Sequence, residues 1–493
     1  MEKSITLIQD PEFLAKLFLS KIGKKNVTIG TSGFGSVGYP KTFPRFLAAR
    51  AREENVRLTV LTGASAYSMD GVLADNRVVA RRYPYQNNPV LRKMINEGAV
   101  EFMDYHLGEW PYMVRYGWLD NISGALDLAI VEAVEVSDKG FVPTGSVGAV
   151  TAFVEKARYV IIELNRDVSP EFKGIHDIYT PIPGEPIPLK RVEDRIGETY
   201  VRVPSNKILG VIESKGIDVG GEPVEPGTTE KKIAENLLEF IQREVEAGRI
   251  PRSLYPLESG VGAVNDAVFK AVGEAGFKEL RAWTEVIQDS LLNMYLNGSM
   301  DALSATSLML SPRNLEKVYS EAEEIKKNIV LRPQDITNNI ELIRRLRVIA
   351  INTAVEVDIM GNVNSTHILG TSIVNGIGGS GDFSRAAHLS IFITPSVRKN
   401  GRISTIVPFT PHVDTVDHDV DVVITDQGYC DLRGLSLRER AKLIIEKCAH
   451  PDYRDLLWDY YKRTEEKGGH APVDLKSAFM FHLNYIENGD MRR

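Results

Sequence analysis

Cysteine is almost absent: there are two, Cys430 and Cys448, in 493 residues. Two thiols in so long a chain make no disulfide framework, and they suit a reducing compartment. Nowhere does an uninterrupted apolar run reach the roughly 18 residues of a membrane span. The first residues, MEKSITLIQD, show neither a basic-then-apolar pattern nor an Arg/Ser-rich one, so a cytoplasmic enzyme is expected. Positive charge is also short. Lys and Arg number 59 against 66 Asp and Glu, a formal net charge of −7. That excludes a chain drawn as a whole to nucleic acid or an anionic membrane, and an anionic ligand would need local donors. Low-complexity tracts and coiled-coil heptads are missing too. What remains is ordinary for a globular protein, with 43% hydrophobic and 25% charged residues and length enough for two or three domains.

Local patterns give the architecture. Asp10-Pro11 opens a first helix with Phe13, Leu14, Leu17 and Phe18 on its apolar face. Strands are expected over 27–29, 56–61, 100–103, 126–131 and 159–164, with a helix over 44–52. Alternation at this spacing means a largely parallel sheet flanked by helices, with ligands at the loops after strand ends. Eight of the 24 prolines lie in 168–226, read as an irregular crossing segment with a short β excursion over 199–203. A long helix over 228–250 follows. Further strands are expected over 279–287, 348–357, 388–394, 403–407 and 420–425, and helices over 266–275, 289–297, 313–327 and 437–448. Gly33-Phe-Gly-Ser-Val37 and Gly260-Val-Gly-Ala-Val264 share Gly-x-Gly-x-Val, which is compatible with a duplication. The expectation is two like α/β units, 1–215 and 216–493, with a site in the cleft between them.

The candidate chemistry centres on Glu285 in Arg281-Ala-Trp-Thr-Glu-Val-Ile-Gln-Asp289. One glycine loop precedes it, Ser259-Gly-Val-Gly-Ala-Val264. A denser one follows, Asn375-Gly-Ile-Gly-Gly-Ser-Gly-Asp-Phe383. Such density costs chain entropy unless something needs the backbone close. A carboxylate nucleophile with backbone amides to stabilise an anion is the expected arrangement. Gly33–Gly38 has the spacing of a dinucleotide loop after a strand, but Tyr39-Pro40 interrupts the helix that should receive a pyrophosphate; turn and ligand loop both stay open. His412-Val-Asp-Thr-Val-Asp-His-Asp-Val-Asp421 could ligate a metal, or form a polar turn. Pro395-Ser-Val-Arg-Lys-Asn-Gly-Arg402 could receive phosphates, or be a solvated basic loop.

Thr284-Glu-Val-Ile-Gln-Asp289, Gly361-Asn-Val-Asn-Ser-Thr-His367, the 375–383 loop, His412-Val-Asp414 and Asp431-Leu-Arg-Gly-Leu435 occur in this order. Together they resemble the acetyl-CoA hydrolase/transferase family of class I CoA-transferases across nearly the whole chain. The likeness is to succinyl-CoA:acetate CoA-transferases and fungal-type acetyl-CoA hydrolases, with propionyl-CoA:succinate CoA-transferases close by. It implies two tandem NagB/RpiA/CoA-transferase-like domains, mostly parallel sheets flanked by helices, and a homodimer. It implies that Glu285 forms an acyl anhydride and then a glutamyl-CoA thioester, with Val261 and Gly379 supplying oxyanion amides. CoA contacts are implied for Leu257, Glu258, Ser259, Gly260, Val261, Gly262, Asn375, Gly379 and Lys399. Ser65, Asn338 and Asp426 are implied near the substrate carboxylate. Asp426 stands where many relatives carry a glutamate, which bears on acceptor preference. No metal and no permanently bound cofactor are implied; coenzyme A is a substrate, and the partners are acyl-CoA and small carboxylates. A hydrolase with water as acceptor, a nicotinamide-dependent oxidoreductase using Gly33–Gly38 and a metal hydrolase on 412–421 are the alternatives.

Overall fold

The computed structural model describes residues 7–123, 125–222, 225–260 and 262–493. Two sheets organise it. The first holds β1 (Asn26–Thr31), β2 (Arg57–Leu61), β3 (Val79–Tyr83), β4 (Glu101–Phe102), β5 (Leu128–Ser137), β6 (Tyr159–Asn165) and β7 (Ile208–Ser214). The second holds β8 (Leu257–Ser259), β9 (Leu280–Trp283), β10 (Met300–Ala305), β11 (Ile329–Leu331), β12 (Ile349–Thr353), β13 (Leu389–Ile393) and β14 (Val422–Thr425). Their spatial orders are β4-β3-β2-β1-β5-β6-β7 and β11-β10-β9-β8-β12-β13-β14, the same winding twice. Neighbours in both series run parallel, and antiparallel strands at Gly140–Pro143, Val201–Arg202 and Gly428–Asp431 extend them. In a doubly covered parallel sheet both strand faces are apolar; β13, Leu-Ser-Ile-Phe-Ile, is buried throughout. One continuous apolar cluster joins Val131, Phe153 and Ile162 of the first half to Leu303, Ile351 and Ile391 of the second.

Several elements depart from expectation. In the helix Pro11–Ile22 the buried face is Leu14, Ala15, Phe18, Leu19 and Ile22, while Phe13 is exposed. The Asp10 carboxylate accepts from the Phe13 N–H and caps the first turn, while the 3.6-residue period carries the Phe13 side chain off the buried face. The crossing segment 168–226 is not wholly irregular, because it contains β7. The expected strand over 279–287 breaks after Trp283 and resumes at Val286–Ile287; that over 348–357 breaks after Thr353. The helix over 313–327 is two helices meeting at Glu321, and the 228–250 helix ends at Glu246, with Gly248 turning at φ 69°. Helices Pro451–Lys467 and Met480–Asn488 were not expected.

The halves are hydrogen-bonded to each other. Val147 N–H donates to Thr306 O and Leu308 N–H to Gly145 O, both at 2.9 Å. Arg332, at the end of β11, reaches across to Asp177 of the first half, and both are buried. Arg332 Nε also donates to Ser304 Oγ at 2.7 Å. Removing one partner of a buried pair strands the other charge, typically at about 3–5 kcal/mol. Arg332→Met is therefore expected to lower the melting temperature by several degrees. A melting curve that coincides with the wild type's would show that the pair does not hold the halves together.

Candidate active site

Glu285 lies in the gap where the strand breaks. Its carbonyl accepts from the N–H groups of Thr306 and Ser307 at 3.0 and 3.1 Å, and Thr284 N–H donates to Ser304 O at 3.0 Å. The backbone is thus pinned to the end of β10 while the side chain turns to the junction of the halves. Trp283 helps from beneath. Its indole N–H donates to Thr337 O at 2.7 Å, which fixes the short helix Gln334–Thr337 and presents Asn338. The Thr337 hydroxyl donates to Asn338 Oδ1 at 2.9 Å, and Asn338 Nδ2 donates to Glu285 Oε1 at 2.7 Å. Gly379 N–H donates to the same carboxylate.

The approach of Gly379 is so close that any side chain there would displace the carboxylate. A Cβ built there would stand 2.3 Å from the Glu285 carboxyl carbon and 2.4 and 2.6 Å from its oxygens. The Glu285 side chain is half-buried, its remaining surface on a cavity of about 270 Å³. Burial pushes its carboxyl up to about 7, against the downward pull of Asn338 and Gly379. Two other acids nearby are displaced similarly. Desolvation carries Asp382 and Asp104 to about 7, although Gly108 N–H donates to the first and Ile377 N–H to the second.

Both halves build the cavity. Phe34, Gly35, Ser36, Ala64, Ser65, Tyr85, Asn87 and Leu107 come from the first; Glu258, Gly260, Glu285, Val286, Met309, Asn352, Thr353, Ser365 and the 375–380 loop come from the second. No lysine, arginine or histidine is among them. Larger depressions of about 580 and 630 Å³, around Arg202 and Arg77, bring no comparable set of donors onto a buried carboxylate.

Of the residues singled out from the sequence, Glu285, Gly379, Asn338, Ser65, Asn375, Glu258 and Gly260 gather on this cavity or on Glu285 itself. Asn375 Nδ2 donates to the Tyr85 hydroxyl at 2.9 Å. Leu257 is core within β8, Ser259 ends that strand, and Gly262 precedes the helix Ala263–Glu274 on the exposed side. Val261 lies outside the described residues. Lys399 does not line the cavity; it occupies an exposed turn, where its Nζ donates to the Tyr485 hydroxyl at 2.8 Å. Nor does Asp426, whose oxygens accept from Ser396 N–H, Ser396 Oγ and Gln427 Nε2 at 2.6, 3.0 and 2.7 Å.

Two alternatives do not match this geometry. After Gly38 no helix starts until Phe43, and Cβ atoms at Gly33 and Gly38 would meet Tyr39 and Ser146 at 2.8 and 2.5 Å. Those glycines permit tight packing, and Phe34, Gly35 and Ser36 between them line the Glu285 cavity instead of a dinucleotide cradle. The run 412–421 scatters. His418 is exposed, Asp421 accepts from Ser390 N–H, and only His412 and Asp414 converge, with His367, to within 4.8 Å. Asp414 is already engaged by Ser365 N–H, the Thr366 hydroxyl and the His412 ring.

Sequence reasoning missed Tyr85, Asn87, Asn352 and Asp382. Tyr85 follows β3, a strand disguised by Arg81 and Arg82; Arg82 is buried and paired with Asp70 at 2.8 Å. The signal available was the turn-forming run Pro84-Tyr-Gln-Asn-Asn-Pro89. Asp382 was present in the quoted Ser-Gly-Asp-Phe stretch, but nothing local told that Gly108 N–H, from the other half, would bind it.

Fold and cavity define a mixed α/β protein of two like, mostly parallel sheets, with a carboxylate held among neutral donors where they meet. Two family models match the chain: the acetyl-CoA hydrolase/transferase N-terminal domain over residues 14–213 and the C-terminal domain over residues 315–461. A succinyl-CoA:acetate CoA-transferase of Clostridium kluyveri is 43% identical, over 95% of this chain and 88% of that one. An acetyl-CoA hydrolase of Yarrowia lipolytica is 41% identical, over 95% and 94%. The solved structure of a 4-hydroxybutyrate CoA-transferase from Porphyromonas gingivalis superposes with a TM-score of 0.61 at 22% identity, covering 91% of this chain and 96% of that one. The chain belongs to the acetyl-CoA hydrolase/transferase family, and it is an enzyme of that kind.

Proposed function

We propose that this enzyme moves CoA between an acyl-CoA and a small carboxylate such as acetate or succinate, with Glu285 as the covalent carrier. The supporting observation is a cavity-facing carboxylate that accepts from Gly379 N–H and Asn338 Nδ2. Ionised Glu285 attacks the thioester carbonyl and the CoA thiolate leaves, giving a mixed anhydride. The thiolate then attacks the glutamyl carbonyl, expels the first carboxylate and leaves glutamyl-CoA. An incoming carboxylate runs both steps in reverse, so the two carboxylates never have to meet. Gly379 N–H, which donates to the Glu285 carboxylate, would donate to the oxyanion that each attack on the glutamyl carbonyl creates. Lys399 would anchor the CoA phosphates by exchanging its bond to Tyr485 for one to the ligand. The reaction as written needs no resident cofactor, and the homodimer implied by the resemblance belongs to the same proposal.

Because a hydrolase is among the relatives, water is the competing acceptor. The test is the rate of acyl-CoA loss with and without acetate or succinate. Exchange requires the rate to climb with acceptor concentration and labelled acceptor to appear as thioester; a rate indifferent to acceptor means hydrolysis.

The reaction needs Glu285 ionised, so kcat/KM is expected to rise with pH through about 7, where burial has moved this group. Asn338 favours the ionised form by donating to it. Asn338→Ala is expected to push the Glu285 pKa higher, move the rising limb to higher pH and lower the rate at pH 6 by about tenfold. An unmoved limb would detach Asn338 from the titrating group.

A further inference from the structure

On that reading the cavity takes an anion, yet among the described residues none of the side chains lining it is cationic. Recognition therefore falls to neutral donors, and most of those are already committed. Asn338 Nδ2 is bound to Glu285, Asn375 Nδ2 to Tyr85, and the Ser36 and Ser65 hydroxyls lie 3.4 Å from each other. Among the described residues lining the cavity, three carry a buried side-chain atom without a partner: Asn87 Oδ1, an acceptor, and Glu258 Oε2 and Asn352 Nδ2, which lie on neighbouring strands. Glu258 is 2% exposed and Asn352 4%.

They belong together by register. β8 and β12 run side by side with Glu258 opposite Ala350. Alternation along β12 then puts Asn352 on the same face as Glu258, one step nearer the strand end. Ile351 N–H donates to the Glu258 carboxyl, which leaves Oε2 as the free oxygen. Desolvation, then the Glu285 charge, raises the Glu258 pKa well above the ordinary value. Glu258 Oε2 is then an O–H donor, and Asn352 Nδ2 is a second donor on the same face. An ionised Glu258 would instead repel any carboxylate entering the cavity.

We propose that Glu258 and Asn352 form a clamp for the acceptor carboxylate, the acid O–H of one and the amide N–H of the other donating to its two oxygens. The clamp rests on the exchange reading given above and names its acceptor site. It selects small carboxylates by neutral, two-point recognition, and it works only while Glu258 keeps its proton.

The experiment pairs direct binding with kinetics. Binding of 13C-labelled acetate, and of propionate and succinate, is followed by NMR across pH 5.5–9 in wild type, Glu258→Gln and Asn352→Ala; KM values for carboxylate and acyl-CoA come from initial rates. Glutamine keeps a donor and the volume but cannot titrate. Glu285 titrates at about 7 on the same cavity in all three proteins and lowers carboxylate affinity as pH rises. Expected beyond that shared fall are a steeper loss of affinity with pH in the wild type than in Glu258→Gln, and a carboxylate KM raised about 10- to 100-fold in Asn352→Ala, the scale of one hydrogen bond to a charged group. In Asn352→Ala the carboxylate KM should rise well beyond any change in the acyl-CoA KM if carboxylate recognition is what is altered. Identical carboxylate titrations in all three proteins, no carboxylate binding in the wild type, or equal rises in both KM values would each overturn the clamp. Acetate bound with the expected pH dependence but never converted to thioester would sink the exchange reading and leave the clamp standing.

Discussion

Glu285→Gln is expected to reduce CoA exchange by about 10⁴-fold or more, the scale seen when a covalent nucleophile is removed. Glutamine fills the same volume and can still offer an oxygen to Asn338 Nδ2 and Gly379 N–H, so lost packing would not explain the loss. Two measurements accompany the rate. Incubation with acyl-CoA followed by hydroxylamine or borohydride should mark the peptide holding Glu285 in the wild type and nothing in the variant. Stability should also change in a pH-dependent way. Burial has raised the folded-state pKa from 4.5 to about 7, so the wild type binds this proton more tightly folded than unfolded. The resulting stabilisation is present below the unfolded value and is lost as pH rises through the folded one. Glutamine has no charge to bury. Relative to the wild type, the variant should therefore gain stability between pH 5 and pH 8, by on the order of 2 kcal/mol after discounting for the solvent the cavity admits. Exchange that survives in Glu285→Gln, or a label on another residue, defeats the mechanism.

The repeated strand–helix alternation was legible because fully buried parallel strands read as apolar runs, as in β5, β6 and β13. Where burial is shared with ion pairs, the reading failed. β3 hides behind two arginines because a buried Asp70 neutralises Arg82. Helix Pro451–Lys467 buries tyrosines, Tyr453, Tyr460 and Tyr461, around one leucine, on a mostly charged sequence. The motif order brought Glu285, Gly379, Asn338 and Asn375 to one cavity in advance, but not what those residues do to each other. The break at Thr284 depends on hydrogen bonds from Thr306 and Ser307, which no local pattern around Glu285 encodes. Glu258 shows the limit most clearly. In sequence it is one more acid in a glycine loop; only its pairing to β12 sets it beside Asn352 and within reach of the Glu285 charge.

Gly379→Ala carries the second largest expected effect, a loss of about 100- to 1,000-fold in kcat, the scale of one oxyanion donor. At φ −85° and ψ −8° the backbone of residue 379 already suits alanine, so the substitution introduces no conformational strain. At such positions replacing glycine stabilises by about 0.4–1 kcal/mol through the unfolded chain. The cost falls on one neighbour. The new methyl would occupy the space of the Glu285 carboxyl, 2.3 Å from its carbon, and the carboxyl must swing away to admit it. Moving away breaks the Gly379 N–H hydrogen bond. It also displaces the nucleophile from the amide expected to receive the oxyanion. Stability and activity should thus part company, the melting temperature holding or rising while turnover collapses. The wild-type pH limb should shift upward as well, since one of the two donors that favour the ionised carboxylate is lost. Full turnover in Gly379→Ala would mean that Glu285 and this amide are neighbours without acting together. A collapse of both turnover and folding would mean that the turn at Gly379 serves the fold before it serves the chemistry.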